Sequence, residues 1–315
     1  MDLTTRYLGL TFPHPFMSGA SPLADDLDMV LRLEDAGAAA IVLPSLFEED
    51  IVARHGAPAK YVEHLRRVKQ RVRVPVIASL NGTAPEGWLH YARFIQEAGA
   101  DALELNFYHV ATDPTEAAVA VEAKVIDIVV VLKESVRIPL AVKLSLHYSS
   151  LPHLAAQLDR IGADGLVVFN RFYEPDIDLE RREPVLRLAL SDSSELPLRL
   201  RWLAILSSTV KASLAVTGGV HEPLDAVKAV MAGADGVQLV SALIKRGPSH
   251  LTLIRREFER WAEAHDYGSL AEMRGCMNIE RCSRPEQFGR GNYVEALRSG
   301  RWPEGAATPS VDRTG

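Results

Sequence analysis

One stretch reads Ala232-Gly233-Ala234-Asp235-Gly236 and runs directly into the short apolar segment Val237–Val240. An amphipathic stretch precedes it. A glycine just after a helix supplies the positive φ that ends the helix. A short apolar run that is partly β-branched is typical of a strand buried on both faces. The stretch therefore predicts a helix, a tight turn and a buried strand in succession.

The same phrase recurs along the chain and alternates with a second one. The other copies and the runs that follow them are Ala36-Gly37-Ala38 with Ala39–Leu43, Ala98-Gly99-Ala100-Asp101 with Ala102–Leu105, and Ile161-Gly162-Ala163-Asp164-Gly165 with Leu166–Phe169. The second phrase places an apolar strand after a helix-like stretch, at Val74–Ser79, Ile138–Lys143 and Ala212–Val216. With an opening strand near Pro15–Ala20, the chain has eight strand candidates.

Helical patterns separate most of these strands. They cover Asp25–Ala36, Pro85–Ala98, Pro114–Ser135, Leu151–Ile161, Leu198–Thr209, Pro223–Ala232 and Pro248–Ala264. This alternation predicts an α/β chain folded as a (β/α)₈ TIM barrel. A doubly wound open sheet is the alternative, but the chain does not open on a Rossmann fingerprint.

Three segments do not belong to a minimal barrel. We expect residues 1–14 to form a hairpin that closes the bottom of the barrel. Residues 171–197, rich in proline and acidic residues, predict a long excursion after strand six. The Gly/Pro/Thr/Ser-rich segment 299–315 predicts a disordered tail. The expected organisation is thus one barrel domain over residues 1–298, followed by that tail.

Composition narrows the class of protein. The chain has 315 residues and a net charge of −6. A net negative charge does not indicate the basic surface that nucleic-acid-binding proteins need. The first residues lack the pattern of a signal peptide, and no apolar run approaches the ~18 residues of a membrane span. We therefore expect a cytoplasmic protein with no nucleic-acid or membrane partner. Cys276 and Cys282 are the only cysteines, and no histidine spacing indicates a metal site.

Barrels of this kind build their sites at the carboxyl ends of the strands. Strand seven ends at Thr217-Gly218-Gly219, and strand eight ends at Val240-Ser241-Ala242. Backbone amides in such turns can hold a phosphate, as barrels often do at these two loops. A tight turn without a ligand is the simpler reading of the two glycines. Since both loops agree, we predict a phosphate site.

Four polar side chains at other strand ends are candidates for the chemistry. Lys143 ends an apolar strand, where it could hold an anion, form a Schiff base or pair with Glu104. Asn106 and Asn170 suit a flat heterocycle that bears amides, although asparagine also caps loops. His109 has a side chain suited to proton transfer, but a lone loop histidine is more often structural.

At these strand ends the chain resembles the dihydroorotate dehydrogenase family, whose members are FMN enzymes built on this barrel. The matching motifs are Glu104-Leu105-Asn106, Pro139-Leu140-Ala141-Val142-Lys143-Leu144, Asn170, Thr217-Gly218-Gly219-Val220 and Val237-Gln238-Leu239-Val240-Ser241-Ala242-Leu243. The resemblance runs from about residue 3 to about residue 275 and is closer to the soluble class than to the membrane-associated class.

The resemblance implies an FMN site and a reaction. The residues it assigns to the cofactor are Ala20, Ser21, Ser45, Asn106, Lys143, Asn170, Gly218, Gly219, Val240 and Ser241. Lys143 would lie at the flavin N1/O2 edge, and Asn106 and Asn170 would also contact substrate. The implied reaction oxidises dihydroorotate to orotate in pyrimidine biosynthesis. A hydride passes to flavin N5 while a base removes a proton from the neighbouring carbon.

The substrate half of the implied site departs from the family pattern. His109 stands where the soluble class has its cysteine base, and Ala111 replaces an asparagine that contacts substrate. Pro44 replaces a lysine near the flavin. The family's substrate loop is absent, and the basic stretch 60–67, which predicts a helix, stands in its place. Arg171 replaces a small hydroxyl residue; it could grip a substrate carboxylate or point to solvent. His109 is the candidate base, or it fills the pocket.

These departures leave three other hypotheses open. The chain could be an FMN oxidoreductase acting on a different small ring or conjugated acid. It could be a non-redox barrel that binds a sugar phosphate, or a flavoprotein without catalysis. A small-molecule substrate is expected, the electron acceptor is not specified by the sequence, and a homodimer is what the family implies.

Overall fold

Eight parallel strands close into a barrel in the computed structural model, which describes residues 1–53, 57–82 and 85–299. Two antiparallel hairpins, β1–β2 and β9–β10, lie outside it. In chain order the strands are β1 Thr5–Tyr7, β2 Leu10–Phe12, β3 Phe16–Ser18, β4 Ile41–Phe47, β5 Val76–Asn81, β6 Ala102–Asn106, β7 Leu140–Leu144, β8 Gly165–Val168, β9 Pro175–Asp178, β10 Glu183–Leu186, β11 Ser213–Thr217 and β12 Gly236–Leu239. The barrel runs from β3 to β8 and continues through β11 and β12, which pairs with β3. The predicted TIM barrel is confirmed.

Helices surround the barrel. They are α1 Leu27–Asp35, α2 Glu48–Ala53, α3 Ala57–Arg71, α4 Pro85–Glu97, α5 Ala118–Ser135, α6 Leu151–Arg160, α7 Leu196–Leu206, α8 Pro223–Ala232, α9 Ser241–Arg246, α10 Ser249–Ala264, α11 Leu270–Met273 and α12 Arg290–Arg298. The repeated glycine follows α1, α4, α6 and α8, each time with a positive φ. At Gly233, φ is 126° and an added Cβ would lie 2.3 Å from Ser207 Cβ, so glycine is required there.

The main difference from the predicted elements lies at β4. The sequence predicts a strand that ends at Leu43, but the observed strand continues to Phe47. Its pairing with β5 shifts register between Val42 and Ser45. Pro44 lies at that shift and has no N–H to donate to the ladder, which explains the irregularity. The basic stretch 60–67 forms part of α3, as predicted.

The first hairpin closes the amino-terminal end of the barrel. Tyr7, Leu8 and Phe12 are fully or almost fully buried, and they pack with small and β-branched residues of the barrel strands. Leu8 N donates to Ser213 Oγ at 2.9 Å, and Thr5 Oγ1 donates to the Asp235 carbonyl oxygen at 2.9 Å. The predicted bottom closure is confirmed, so a ligand site must lie at the opposite end.

The excursion after strand six consists of β9 and β10 and a return to α7. Its hairpin is largely exposed to solvent, with Leu186 93 % exposed. The predicted tail starts at Ser299, and residues 300–315 lie outside the described part of the chain. Within the described residues, no helix is long and apolar enough to cross a membrane.

The hairpin β1–β2 at the amino-terminal end of the barrel predicts that its buried and exposed residues differ in their contribution to stability. Phe12→Ala would leave a cavity beneath the strands and should lower the free energy of unfolding by about 3–5 kcal/mol. The exposed neighbour Thr11 is a matched control, and Thr11→Ala should change that free energy by no more than about 0.5 kcal/mol. Urea denaturation followed by circular dichroism measures both. Equal stability of the two variants would contradict this packing.

Candidate active site at the carboxyl end of the barrel

A buried ion pair lies inside the barrel between β6 and β7, and a third side chain reaches it from β12 on the far side of the barrel. Glu104 is completely buried, and Lys143 Nζ donates to its Oε1 at 3.2 Å. Gln238 Nε2 donates to Glu104 Oε2 at 2.6 Å. A carboxylate without access to water is tolerated only when such partners replace the lost hydration. Of the three possibilities that the sequence left open for Lys143, the structure shows the ion pair with Glu104.

Asn106 and Asn170 meet directly above this pair. Asn170 Nδ2 donates to Asn106 Oδ1, and both side chains are buried. The register places Asn106 opposite Lys143 on the neighbouring strand. The two asparagines predicted from the ends of strands four and six are therefore brought together, beside the predicted lysine.

The glycine turn after β11 is shaped by close packing. Gly218 and Gly219 have φ values of 77° and 80°. A Cβ on Gly219 would lie 2.7 Å from the backbone nitrogen of Leu196, and a Cβ on Gly218 would lie 2.7 Å from Arg199 Nη2. Arg199 Nε donates to the Thr217 carbonyl oxygen at 2.6 Å. Only glycine fits either position, and a buried guanidinium lies directly behind the turn.

Ser191 connects the two predicted phosphate loops. Its backbone N–H donates to Ser241 Oγ at 3.1 Å, and its Oγ accepts from the Gly219 N–H at 3.4 Å. His221 Nε2 lies 3.2 Å from the same Oγ. Burial, and then the charge of Lys245, lowers the pKa of His221. The loops after strands seven and eight are thus brought together, through a serine from the excursion.

Three buried polar atoms near the glycine turn after β11 have no hydrogen-bond partner within the described part of the chain. Ser18 Oγ, Ser21 Oγ and Gln238 Oε1 have no hydrogen-bond partner among residues 1–53, 57–82 and 85–299. A Cβ on Gly19 would lie 2.7 Å from Val240 Cγ2 and 3.3 Å from Gln238 Oε1. The chain from Ser18 to Ala20 therefore passes close to the Val240 loop. Unsatisfied buried groups of this kind are costly unless a ligand or water meets them.

Ser45, the predicted cofactor residue on β4, pairs with Ser79 on β5. Their Oγ atoms lie 2.8 Å apart. Tyr61 from α3 binds the same strand, since its hydroxyl donates to the Ser79 carbonyl oxygen and accepts from the Ser79 N–H. Burial raises the pKa of Tyr61, so it remains a neutral phenol. This group anchors α3 next to the predicted site.

His109 lies apart from the buried pair, in the loop after β6. It lines an open cavity of about 440 Å³ at the carboxyl end of the barrel. The cavity's residues come from the loops after β6, β7 and β8 and from α5; they are Phe107, Tyr108, His109, Val110, Ala111, Val121, Ser145, His147, Tyr148, Phe172, Tyr173, Glu174 and Pro175. Tyr108 stacks on Phe172 with ring centres 4.2 Å apart. Flat aromatic walls favour a planar ligand.

Arg171 is turned toward the excursion. Its Nη1 donates to Glu195 Oε1 at 2.6 Å, and Glu195 Oε2 also pairs with Arg199 at 3.3 Å. The structure thus places Arg171 in an ion pair that joins it to the arginine behind the glycine turn. It is not among the residues lining the cavity.

Sequence reasoning missed Gln238 and Ser191 as site residues. Gln238 had a signal, because it is a polar residue in the middle of an apolar buried strand. Ser191 had none, because it lies within the excursion and at no strand end. Among the residues that the structure describes, no group of three or more His, Cys, Asp or Glu side chains is placed to hold a metal ion.

Comparison with known proteins gives a consistent result. A family model described as Dihydroorotate dehydrogenase matches residues 52–261. The catalytic subunit of dihydroorotate dehydrogenase B (NAD⁺) from Thermoplasma acidophilum is 27 % identical over 305 residues, covering 87 % of this chain and 98 % of the relative. A putative dihydroorotate dehydrogenase A (fumarate) from Aeropyrum pernix is 32 % identical over 216 residues, covering 67 % of this chain and 70 % of the relative.

The buried ion pair predicts an asymmetric mutational response. Lys143→Met leaves the Glu104 carboxylate buried without its cation and should lower the free energy of unfolding by about 3–5 kcal/mol. The double variant Lys143→Met/Glu104→Gln removes both charges and should recover most of that loss. Lys228→Met, at an exposed lysine on α8, is the control. A Lys143→Met variant as stable as the unchanged chain would contradict the buried Lys143–Glu104 ion pair.

Proposed function

This chain belongs to the dihydroorotate dehydrogenase family, and from that premise we propose that it binds FMN at the carboxyl end of its barrel and oxidises dihydroorotate to orotate. It is an oxidoreductase of the dehydrogenase type, acting on a CH–CH group. In the family this reaction is a step of pyrimidine biosynthesis. Family membership does not favour the non-redox barrel that the sequence left open.

The observation that carries the FMN proposal is the set of buried polar atoms without partners. Ser18 Oγ, Ser21 Oγ and Gln238 Oε1 are unpaired within the described part of the chain. They belong to β3, its following loop and β12, which are neighbours in the barrel. A heterocycle that carries both N–H and C=O groups satisfies donors and acceptors of this kind. The residues present therefore fit a flavin ring.

The glycine turn fits the other end of the same cofactor. Gly218 and Gly219 carry no side chains, so nothing covers the backbone of the turn at these two positions. In the neighbouring loop, Ser241 starts α9 directly after Val240. Ser191 Oγ accepts from the Gly219 N–H in a long hydrogen bond of 3.4 Å. Backbone N–H groups and hydroxyls in such turns hold phosphates well. We assign the FMN phosphate to Gly218, Gly219, Val240 and Ser241.

The remaining predicted residues have consistent roles in this proposal. FMN, when bound, supplies a two-electron acceptor for the hydride that leaves the substrate. The Lys143 ammonium, held by Glu104, provides fixed positive charge at the base of the site. Asn106 and Asn170 offer amide donors and acceptors toward cofactor and substrate. Ala20 and Ser21 lie on the loop beside Val240 and line the ring, and Ser45 contributes its hydroxyl from β4.

We assign proton removal to His109. It lines the cavity, whose walls begin at Phe107, next to Asn106, and at Phe172, two residues beyond Asn170. An imidazole there can accept the proton from the carbon next to the one that loses the hydride. The Tyr108–Phe172 stack bounds the side of a cavity that admits a planar ring. Arg171 becomes a carboxylate ligand only if it leaves Glu195.

The phosphate assignment predicts a loss of flavin binding. A methyl group on Gly219 meets the Leu196 backbone at 2.7 Å. To relieve that contact the turn must shift away from the position in which we place the phosphate. If this shift costs about 1–3 kcal/mol in the bound state, the dissociation constant for FMN should rise roughly ten- to hundredfold. Gly99→Ala is the matched control, because Gly99 also has a positive φ, with open space around it, and lies at the other end of the barrel. Quenching of FMN fluorescence measures both. Equal affinity in the two variants would contradict the assignment.

The base assignment predicts a slower reductive half-reaction. His109→Ala should lower the anaerobic rate of flavin reduction by dihydroorotate about 10²–10⁴-fold, because a positioned base contributes that much. FMN affinity should stay near that of the unchanged chain. His153→Ala, at an exposed histidine on α6, is the control in the same stopped-flow measurement. Full reductive rates in His109→Ala would remove His109 as the base.

A further inference from the structure

His109 is hydrogen-bonded to a carboxylate, that of Glu116, which has no role in the reaction proposed above. Its Nε2 lies 3.0 Å from Glu116 Oε2, and Lys124 Nζ donates to the other oxygen, Glu116 Oε1. His109 and Glu116 lie seven residues apart in the loop between β6 and α5, and Lys124 lies on α5 itself. Glu116 is largely shielded, with 13 % of its side chain exposed. The loop between β6 and α5 therefore meets α5 in one hydrogen-bonded chain at the edge of the cavity.

The state of the carboxylate determines which way the first hydrogen bond runs. Hydrogen bonds from Lys124 and His109 lower the pKa of Glu116, so it is ionised at neutral pH. An ionised carboxylate only accepts hydrogen bonds. The bond therefore requires a hydrogen on Nε2 of His109. A neutral imidazole carries one N–H, so its lone pair lies on Nδ1.

The other nitrogen of the ring is available to a ligand. His109 Nδ1 makes no hydrogen bond with residues 1–53, 57–82 or 85–299, and the ring lines the cavity. The other titratable groups of that lining are His147, Glu174 and the tyrosines Tyr108, Tyr148 and Tyr173. His147 is the other imidazole of the cavity, and within the described chain it has no carboxylate at hydrogen-bond distance. Within the described chain, a carboxylate therefore orients the imidazole of His109 and not that of His147.

We propose that Glu116 is a positioning residue, which fixes His109 in the Nε2–H tautomer and leaves Nδ1 as the proton acceptor in the cavity. This inference rests on the proposed function, in which His109 removes the substrate proton. The proton leaves carbon for Nδ1 and the C–H electron pair forms the new C=C bond. FMN, when bound, would supply the acceptor for the hydride of the neighbouring carbon. The resulting imidazolium keeps its Nε2–H bond to Glu116, whose negative charge stabilises it, and later releases the proton to water.

The tautomer is measured without any turnover. Long-range proton–nitrogen correlation spectra of histidine-labelled protein distinguish the two tautomers, and His109→Asn identifies the signal by its loss. We expect the Nε2–H form in the unchanged chain. Glu116→Gln should give a mixture, because a glutamine amide both donates and accepts. Glu134→Gln, at an exposed glutamate farther along α5, should leave the signal unchanged. An Nδ1–H form in the unchanged chain, or the same tautomer in Glu116→Gln, would overturn the proposal.

Kinetics test the consequence for the reaction. Glu116→Gln should lose at least about tenfold of the ~10²–10⁴-fold that a positioned base contributes, measured as anaerobic flavin reduction, while FMN affinity stays the same. A wild-type rate in Glu116→Gln would overturn the positioning role. Failure of the proposed function has a different signature: His109→Ala itself would then reduce at the full rate, whatever the tautomer spectra show.

Discussion

The rest of the site depends on one constraint, the burial of the Glu104 carboxylate inside an apolar barrel. A charge with no exposed surface needs partners that replace water. Lys143 on β7 and Gln238 on β12 supply them. These two strands are not neighbours in the barrel, so the carboxylate links opposite parts of its wall. Replacing Glu104 removes the partner of both other side chains, and replacing Lys143 or Gln238 removes one of the two partners of the carboxylate.

In the function we propose, this buried group forms the base of the cofactor site. The hairpin β1–β2 fills the amino-terminal end, so open space lies at the carboxyl end, above Glu104. The asparagines that meet there, the glycine turn and the unpaired Ser18, Ser21 and Gln238 atoms all belong to strands β3, β6 and β12 or to the segments that follow β3, β8 and β11. The residues that we assign to the flavin are thus largely buried on or beside the barrel strands. His109 and the stacked aromatics, to which we assign the substrate, lie on loops.

Much of the fold and about half of the site were predictable from residue patterns. The Gly-Ala-Asp phrase predicts the barrel because a positive-φ glycine after each helix and a buried strand leave a local trace. Lys143, Asn106 and Asn170 are predictable because strand ends converge. The roles of Gln238 and Ser191 depend on which distant segments meet, which has no periodic signature. The contact between Glu116 and His109 depends on how one irregular loop folds, which has none either. The lengthening of β4 beyond Pro44 likewise depends on pairing with β5.

The most direct test of the whole account is anaerobic mixing of the purified, flavin-loaded protein with excess dihydroorotate, followed by absorption spectroscopy. We expect the protein to carry FMN and its oxidised-flavin absorption to disappear on mixing. A protein that holds no flavin would contradict the cofactor site. A bound flavin that stays oxidised under saturating dihydroorotate would contradict the proposed reaction.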